Sequence, residues 1–147
     1  MYKRILVATD GSTLSKKAVT NAIALAATCG AELVALKVVP RYPQAYFEGS
    51  IPLAASEVSR IEGQWTEAAK AALDAVQKTA KAKGVDTKAV TVKSDVVSDA
   101  IIATAKKHKA DLIVMTSHRP AMRTYFLGSN AGHVVRYAKC SVLVVRH

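Results

Sequence analysis

The residues best suited to chemistry lie together in one segment, Thr116-Ser117-His118-Arg119-Pro120-Ala121-Met122-Arg123-Thr124-Tyr125-Phe126-Leu127-Gly128-Ser129-Asn130. It follows an apolar run and opens into a stretch of helical periodicity. The first N–H groups of a helix have no partner within it, and the aligned peptide dipoles favour an anion there. Gly128 lets a phosphate approach the backbone closely. Ser129 offers a hydroxyl, and Arg119 and Arg123 bring permanently charged, forked donors that suit phosphate oxygens. The segment reads as a phosphate-binding loop. The competing reading is that Ser129 only caps the helix and the arginines face water. The segment is neither a Walker A loop nor a G-x-G-x-x-G fingerprint.

Asp10 is the second candidate. It ends an apolar run, where a carboxylate can meet a ribose hydroxyl or an adenine amino group, although an Asp before Gly11 is also a common turn former. His118 shares the loop with the arginines and could touch a phosphate or bond locally. It has no paired carboxylate or nucleophile to make it a general acid or base. No Ser-His-Asp arrangement and no converging pair of carboxylates is evident. His133 and His147 carry no motif. Cys29 and Cys140 sit in no Cys-x-x-Cys or Cys/His cluster, so neither a metal site nor a disulfide is expected, and both read as small, half-buried hydrophobes.

These groups need a scaffold, and the hydrophobic pattern supplies one. Residues 4–9 are a β-branched apolar run, expected as a buried strand. Asp10-Gly11-Ser12 makes a turn, with Ser12 or Thr13 as helix cap. Leu14, Ala18, Val19, Ala22, Ile23 and Ala26 recur at helical spacing until Cys29-Gly30 stops the helix. Residues 32–39 form the second strand, and Pro40, Tyr42, Pro43 and Pro52 mark a loop. A long amphipathic helix runs from Val58 through Trp65 and Leu73 to Ala80 and ends at Lys83-Gly84. Residues 87–93 alternate like a half-buried strand near a sheet edge, and Ser98 starts a third helix. Residues 111–116 (DLIVMT) are a fully apolar strand; the last helix carries Ala131, Val134, Val135 and Ala138, and residues 141–146 close the chain as a fifth strand.

The order β-α-β-α-β-α-β-α-β implies an α/β fold: a five-stranded parallel sheet with helices on both faces. In such a doubly wound sheet the ligand crevice opens at the strand C-termini where the strand order reverses, here between strands one and four. Residues after strands one, two and four are the expected binding residues. No internal repeat or domain boundary is visible, so residues 1–147 read as one domain.

Composition narrows the class. The 147 residues are half apolar and hold only seven Gly and four Pro, which excludes a disordered or low-complexity chain. Aromatics make up only 5%, so the core must be aliphatic. No apolar run is long enough for a membrane span and none has the layout of a signal peptide, so a soluble, cytoplasmic protein is expected. With 21 Lys and Arg against 11 Asp and Glu, the net charge is +10. That excess favours anionic partners, or is a solvated surface. Nucleic acid is a weak reading, since no helix-turn-helix or stacking-aromatic signature accompanies the charge.

With these elements in place, the chain resembles the universal stress protein family over its whole length. The resemblance rests on the start Tyr2-Lys3-Arg4-Ile5-Leu6-Val7-Ala8-Thr9-Asp10-Gly11-Ser12, on Ala110-Asp111-Leu112-Ile113-Val114-Met115, on Gly128-Ser129-Asn130, and on the ending Ala138-Lys139-Cys140-Ser141-Val142-Leu143-Val144-Val145-Arg146. It implies a Rossmann-like, adenine-nucleotide α-hydrolase-like sheet of strand order 3-2-1-4-5. It also implies ATP or AMP as ligand, with or without Mg²⁺. A homodimer through the apolar edge Val142-Leu143-Val144-Val145 is implied as well, with pairing of dimers into a tetramer left open. Carried over by position, Ala8, Thr9 and Asp10 line the adenine and ribose, and Val38 packs on the adenine. Met115 and Thr116 lie beneath the nucleoside, and Gly128, Ser129 and Asn130 hold phosphates. The chain departs from the family's usual G-x2-G-x9-G loop: Thr116 and Arg119 stand at the two leading glycines, and only eight residues separate Arg119 from Gly128. The Ser-His-Arg-Pro wording resembles a branch that retains nucleotide binding with this shorter loop.

Three function classes follow. The first is a nucleotide-binding regulator of the stress response with little or no catalysis. The second is an interaction module of the same fold that has lost the nucleotide, motivated by the missing glycines. The third is a slow ATPase or self-phosphorylating protein, motivated by Ser129 and Thr124 near a γ-phosphate; no base or Mg²⁺-binding carboxylate cluster accompanies it. A response-regulator receiver shares the architecture but needs an acidic pair after the first strand, where this chain has Asp10-Gly11.

Overall fold

A computed structural model of the chain describes residues 1–41, 54–117 and 127–146. The elements are β1 (Arg4–Ala8), α1 (Thr13–Cys29), β2 (Glu32–Val39), α2 (Ala55–Ala82), β3 (Thr87–Lys93), α3 (Val97–Lys107), β4 (Leu112–Thr116), α4 (Ser129–Tyr137) and β5 (Ser141–Val145). All five strands are parallel, in the order β3-β2-β1-β4-β5. β1 pairs with β2 on one side (Leu6 opposite Val34) and with β4 on the other (Leu6 opposite Ile113). The order therefore reverses between β1 and β4, as the alternation of elements predicts.

Side chains on a strand alternate between faces, so each central strand feeds two cores. Ile5, Val7, Leu33, Ala35, Leu112 and Val114 point to one face and pack with Ala18, Ala22 and Ile23 of α1 and Leu73 and Val76 of α2. Leu6, Val34, Leu36, Ile113 and Met115 point to the other, against Ile101 and Ala105 of α3 and Val134 of α4. Ile5, Leu6 and Val7 are wholly buried, which is why the run reads as continuously apolar. Each such side chain contributes about 1.5–3 kcal/mol relative to exposure. Alanine at the helix positions nearest the sheet lets α1 lie close to it.

Helix ends follow local chemistry. The Ser12 hydroxyl accepts the Ser15 N–H at 3.1 Å and caps α1, and Gly30 exits the helix at φ 66. α3 begins at Val97 rather than at Ser98, with Val96 at the cap position. Ser98 sits buried inside the first turn, and Ser94 does the local bonding instead, its Oγ accepting the Val96 N–H at 3.1 Å. α2 begins at Ala55, three residues before the expected Val58, and the remaining bounds lie within a residue or two of expectation. The loop expected around Tyr42, Pro43 and Pro52 lies outside the described residues. Among the described residues no helix is long and apolar enough to cross a membrane.

Candidate functional site

At the C-terminal end of the sheet, where β1 and β4 part, a cleft of about 210 Å³ opens. β1 delivers Ala8, Thr9 and Asp10 to it; β2 delivers Leu36, Lys37 and Val38; β4 delivers Met115 and Thr116; α4 delivers Asn130. The strand alternation sets the character of each wall. Val38 and Met115, 8% and 5% exposed, belong to the core under α3 and offer the cleft an apolar floor. Asp10 is exposed at its mouth.

The β1–α1 turn is tightly bonded. The Thr9 N–H donates to Leu36 O at 3.0 Å, continuing the β1–β2 ladder one residue past the strand. The Gly11 N–H donates to Thr9 Oγ1 at 3.2 Å, and the Ser12 N–H to Asp10 Oδ1 at 2.8 Å. Gly11 takes φ 81, a conformation a side chain would resist. One Asp10 carboxylate oxygen stabilises the turn, and the residue also lines the cleft. Lys37 reaches over the same turn, its Nζ donating to Asp10 O at 3.3 Å.

α4 supplies the polar end. Its N-cap is Gly128, at φ −29 and ψ 157, with no side chain to cap the helix. The first intrahelical bond runs from Gly132 N–H to Gly128 O at 2.8 Å, so the N–H groups of Ser129 and Asn130 precede the helical ladder. Ser129 is an exposed first-turn residue, not the cap. Asn130 faces the cleft, whereas Gly128 and Ser129 line an adjoining hollow with His133 and Arg136.

The structure thus brings together Ala8, Thr9, Asp10, Val38, Met115, Thr116 and Asn130, and sets Gly128 and Ser129 next to them. His118, Arg119 and Arg123 lie outside the described residues. Sequence reasoning missed Ser15, Leu36, Lys37, Val97 and Ile101, all of which line the cleft. The last two come from α3, an element with no motif at all. Val97 stands over the cleft still 38% exposed, a position apolar patterning alone assigns to the core.

The sequence pattern described as the universal stress protein family matches residues 1–146. The chain belongs to the universal stress protein family. Among curated relatives, a universal stress protein of Methanocaldococcus jannaschii is 38% identical over 99% of this chain and 83% of its own length. Among solved structures, the universal stress protein UspA from Lactobacillus plantarum superposes with a TM-score of 0.81 at 28% identity, covering 99% of this chain and 98% of that one. A universal stress protein solved in complex with cAMP superposes at 0.73 with 30% identity over 98% and 97% of the two chains. These universal stress proteins share the Rossmann-like fold seen here, whose strand order in this chain is β3-β2-β1-β4-β5.

Proposed function

We propose that this universal stress protein binds an adenine nucleotide, AMP or ATP, in the cleft between β1 and β4 and acts as a cytoplasmic regulator with little or no catalysis. The observation that carries the reading is the pairing of an apolar slot with an uncapped helix start. Val38 and Met115 offer a flat apolar bed for a base, Asp10 stands where ribose hydroxyls need an acceptor, and Asn130 leads to the open first turn of α4. The relative bound to cAMP supports an adenine nucleotide as the ligand class. By sequence position in the loop that leads to α4, Arg119 and Arg123 are the charges this reading assigns to the phosphates, and His118 is assigned to the same loop. A Mg²⁺ accompanying ATP would ride on the phosphates and its own waters, with Asp10 the carboxylate at hand in the cleft.

The same reading includes a homodimer through β5, with a tetramer as a further step. Among the described residues β5 ends the sheet, with one side of its backbone unpaired by another strand, and Leu143 lies 36% exposed on it.

The test is a thermal melt of nucleotide-free protein with increasing AMP or ATP. A ligand at 100 times its Kd adds roughly 2.7 kcal/mol of stability, which is on the order of 6–10 °C in Tm for a chain of this size. A flat titration to millimolar nucleotide overturns the reading and leaves the fold as a nucleotide-independent interaction module.

A further inference from the structure

The end of the molecule opposite the nucleotide cleft holds a second cleft, of about 290 Å³, between the C-terminal turns of α3 and α4. Its walls are apolar: Ile102 and Ala105 of α3, Ala138 after α4, Cys140 before β5, and Ile113 beneath. Burial raises the Cys140 thiol above its ordinary pKa, so the wall it forms is uncharged. Three lysines, Lys106, Lys109 and Lys139, stand around this apolar slot. None of the three ammonium groups has an ion-pair partner among the described residues. Asp111, whose charge reaches Cys140, is already committed: its carboxylate accepts the backbone N–H groups of Lys3 and Arg4 at 2.9 and 3.1 Å.

A separate observation singles out Lys109. Three helices end in the same closure, with the N–H of Ala31, Val85 and Ala110 donating back to Ala26, Ala80 and Ala105, each at 2.9 Å. The residue before each donor must be left-handed. In the first two cases it is glycine, Gly30 at φ 66 and Gly84 at φ 75, but in the third it is Lys109 at φ 55. A lysine there is strained where glycine is not. The strained residue is one of the three that carry a cation to the cleft.

We propose that this second cleft binds a small amphipathic organic anion, an alkyl or aryl carboxylate whose apolar body fills the slot and whose charge meets Lys106, Lys109 and Lys139. The site shares no residue with the nucleotide cleft and does not rest on nucleotide binding.

Decanoate is the probe, titrated into the intact ¹⁵N-labelled protein with and without saturating AMP, and decanol is its neutral counterpart. The expected result is saturable shifts at the amides of Ile102, Ala105, Lys109 and Cys140, unaffected by AMP, with decanol binding at least several-fold more weakly. Lys109→Gly is the decisive variant. It relieves the left-handed strain, so its Tm is expected to rise by a few degrees while decanoate affinity falls roughly three-fold or more. The triple variant Lys106→Gln, Lys109→Gln, Lys139→Gln is expected to lose about tenfold. Shifts that map to the nucleotide cleft, shifts that fail to saturate, equal binding of decanol, or unchanged affinity in a folded Lys109→Gly protein each overturn the proposal.

Discussion

The Thr9 and Ser15 hydroxyls lie 3.0 Å apart in the buried wall of the β1–α1 turn. The Ser15 proton is spent on Ser12 O at 2.9 Å, so Thr9 is the donor of the pair, and Thr9 Oγ1 in turn accepts the Gly11 N–H. The chain of bonds ties the end of β1 to the first turn of α1 and sets the backbone that presents Asp10. Thr9→Val strands the Gly11 N–H and a Ser15 lone pair, while Ser15→Ala strands the Thr9 proton. Each is expected to cost about 1–2 kcal/mol. The double variant is expected to cost less than the sum, because the second change removes a group already left unpaired. Urea denaturation of the four proteins measures the coupling, and strict additivity would show that the pair is not one unit.

Val97 separates the cleft from the fold. It lines the cleft yet is 38% exposed, so Val97→Ala removes little buried area and is expected to change stability by less than about 0.5 kcal/mol. Its loss bares one wall of the base slot. AMP affinity is expected to fall about three- to five-fold, read by calorimetric titration. Ile101, one turn along and 1% exposed, lines the same cleft but serves the core, and Ile101→Ala is expected to cost about 2–5 kcal/mol.

Acid lability should originate at the other end of the sheet. Burial pushes the Asp111 carboxyl up, but the backbone N–H groups of Lys3 and Arg4 outweigh it and hold its pKa below the ordinary carboxylate value. Its stabilisation is complete above the unfolded-state pKa and is lost as pH falls through the lower folded one. His108 is also held below its ordinary value, first by burial and then by Lys88, Lys107 and Arg4. The unfolded chain therefore binds its proton first, and stability declines as pH falls below about 6.5. His108→Gln is expected to flatten the pH 5–7 part of the profile, and Asp111→Ala to cost about 1–2 kcal/mol at pH 7 with the gap to the parent closing in acid. Denaturation midpoints from pH 3 to 8 measure both; a parent profile flat across pH 5–7 would refute the His108 assignment.

The β5 edge gives the dimer a simple test. Leu143 is exposed on the last strand, while its neighbours Val142 and Val144 pack under α3 and α4. Leu143→Lys puts a charge where a second edge strand would pair, the device by which natural sheets keep edges apart. Sedimentation is expected to show a dimer for the parent and a monomer for the variant, with secondary structure unchanged by circular dichroism. A parent that sediments as a monomer would remove the dimer from the reading.

The local steps of this fold were legible from residue order alone. The run of residues 4–9, the cap at Ser12, the stop at Gly30 and the alternation of elements each depend on neighbours a few positions apart, and side-chain period and backbone φ are local properties. The crevice followed from the alternation, because a doubly wound parallel sheet has one point where its order reverses. Asp10, Val38, Met115 and Asn130 could be placed there before any coordinates, on position and family resemblance together. What residue order did not reveal depends on contacts between segments far apart in the chain. Val97 and Ile101 reach the cleft only because α3 packs over β2 and beside α4, and their apolar character is the same whether they meet core or ligand. The carboxylate of Asp111 restrains Lys3 and Arg4 more than 100 positions away. The left-handed turn at Lys109 carries no signature in a lysine, and its charge gains meaning only when the ends of α3 and α4 enclose an apolar slot beside it. Those arrangements are set by how packed helices share volume over a sheet, which no short window of residues encodes.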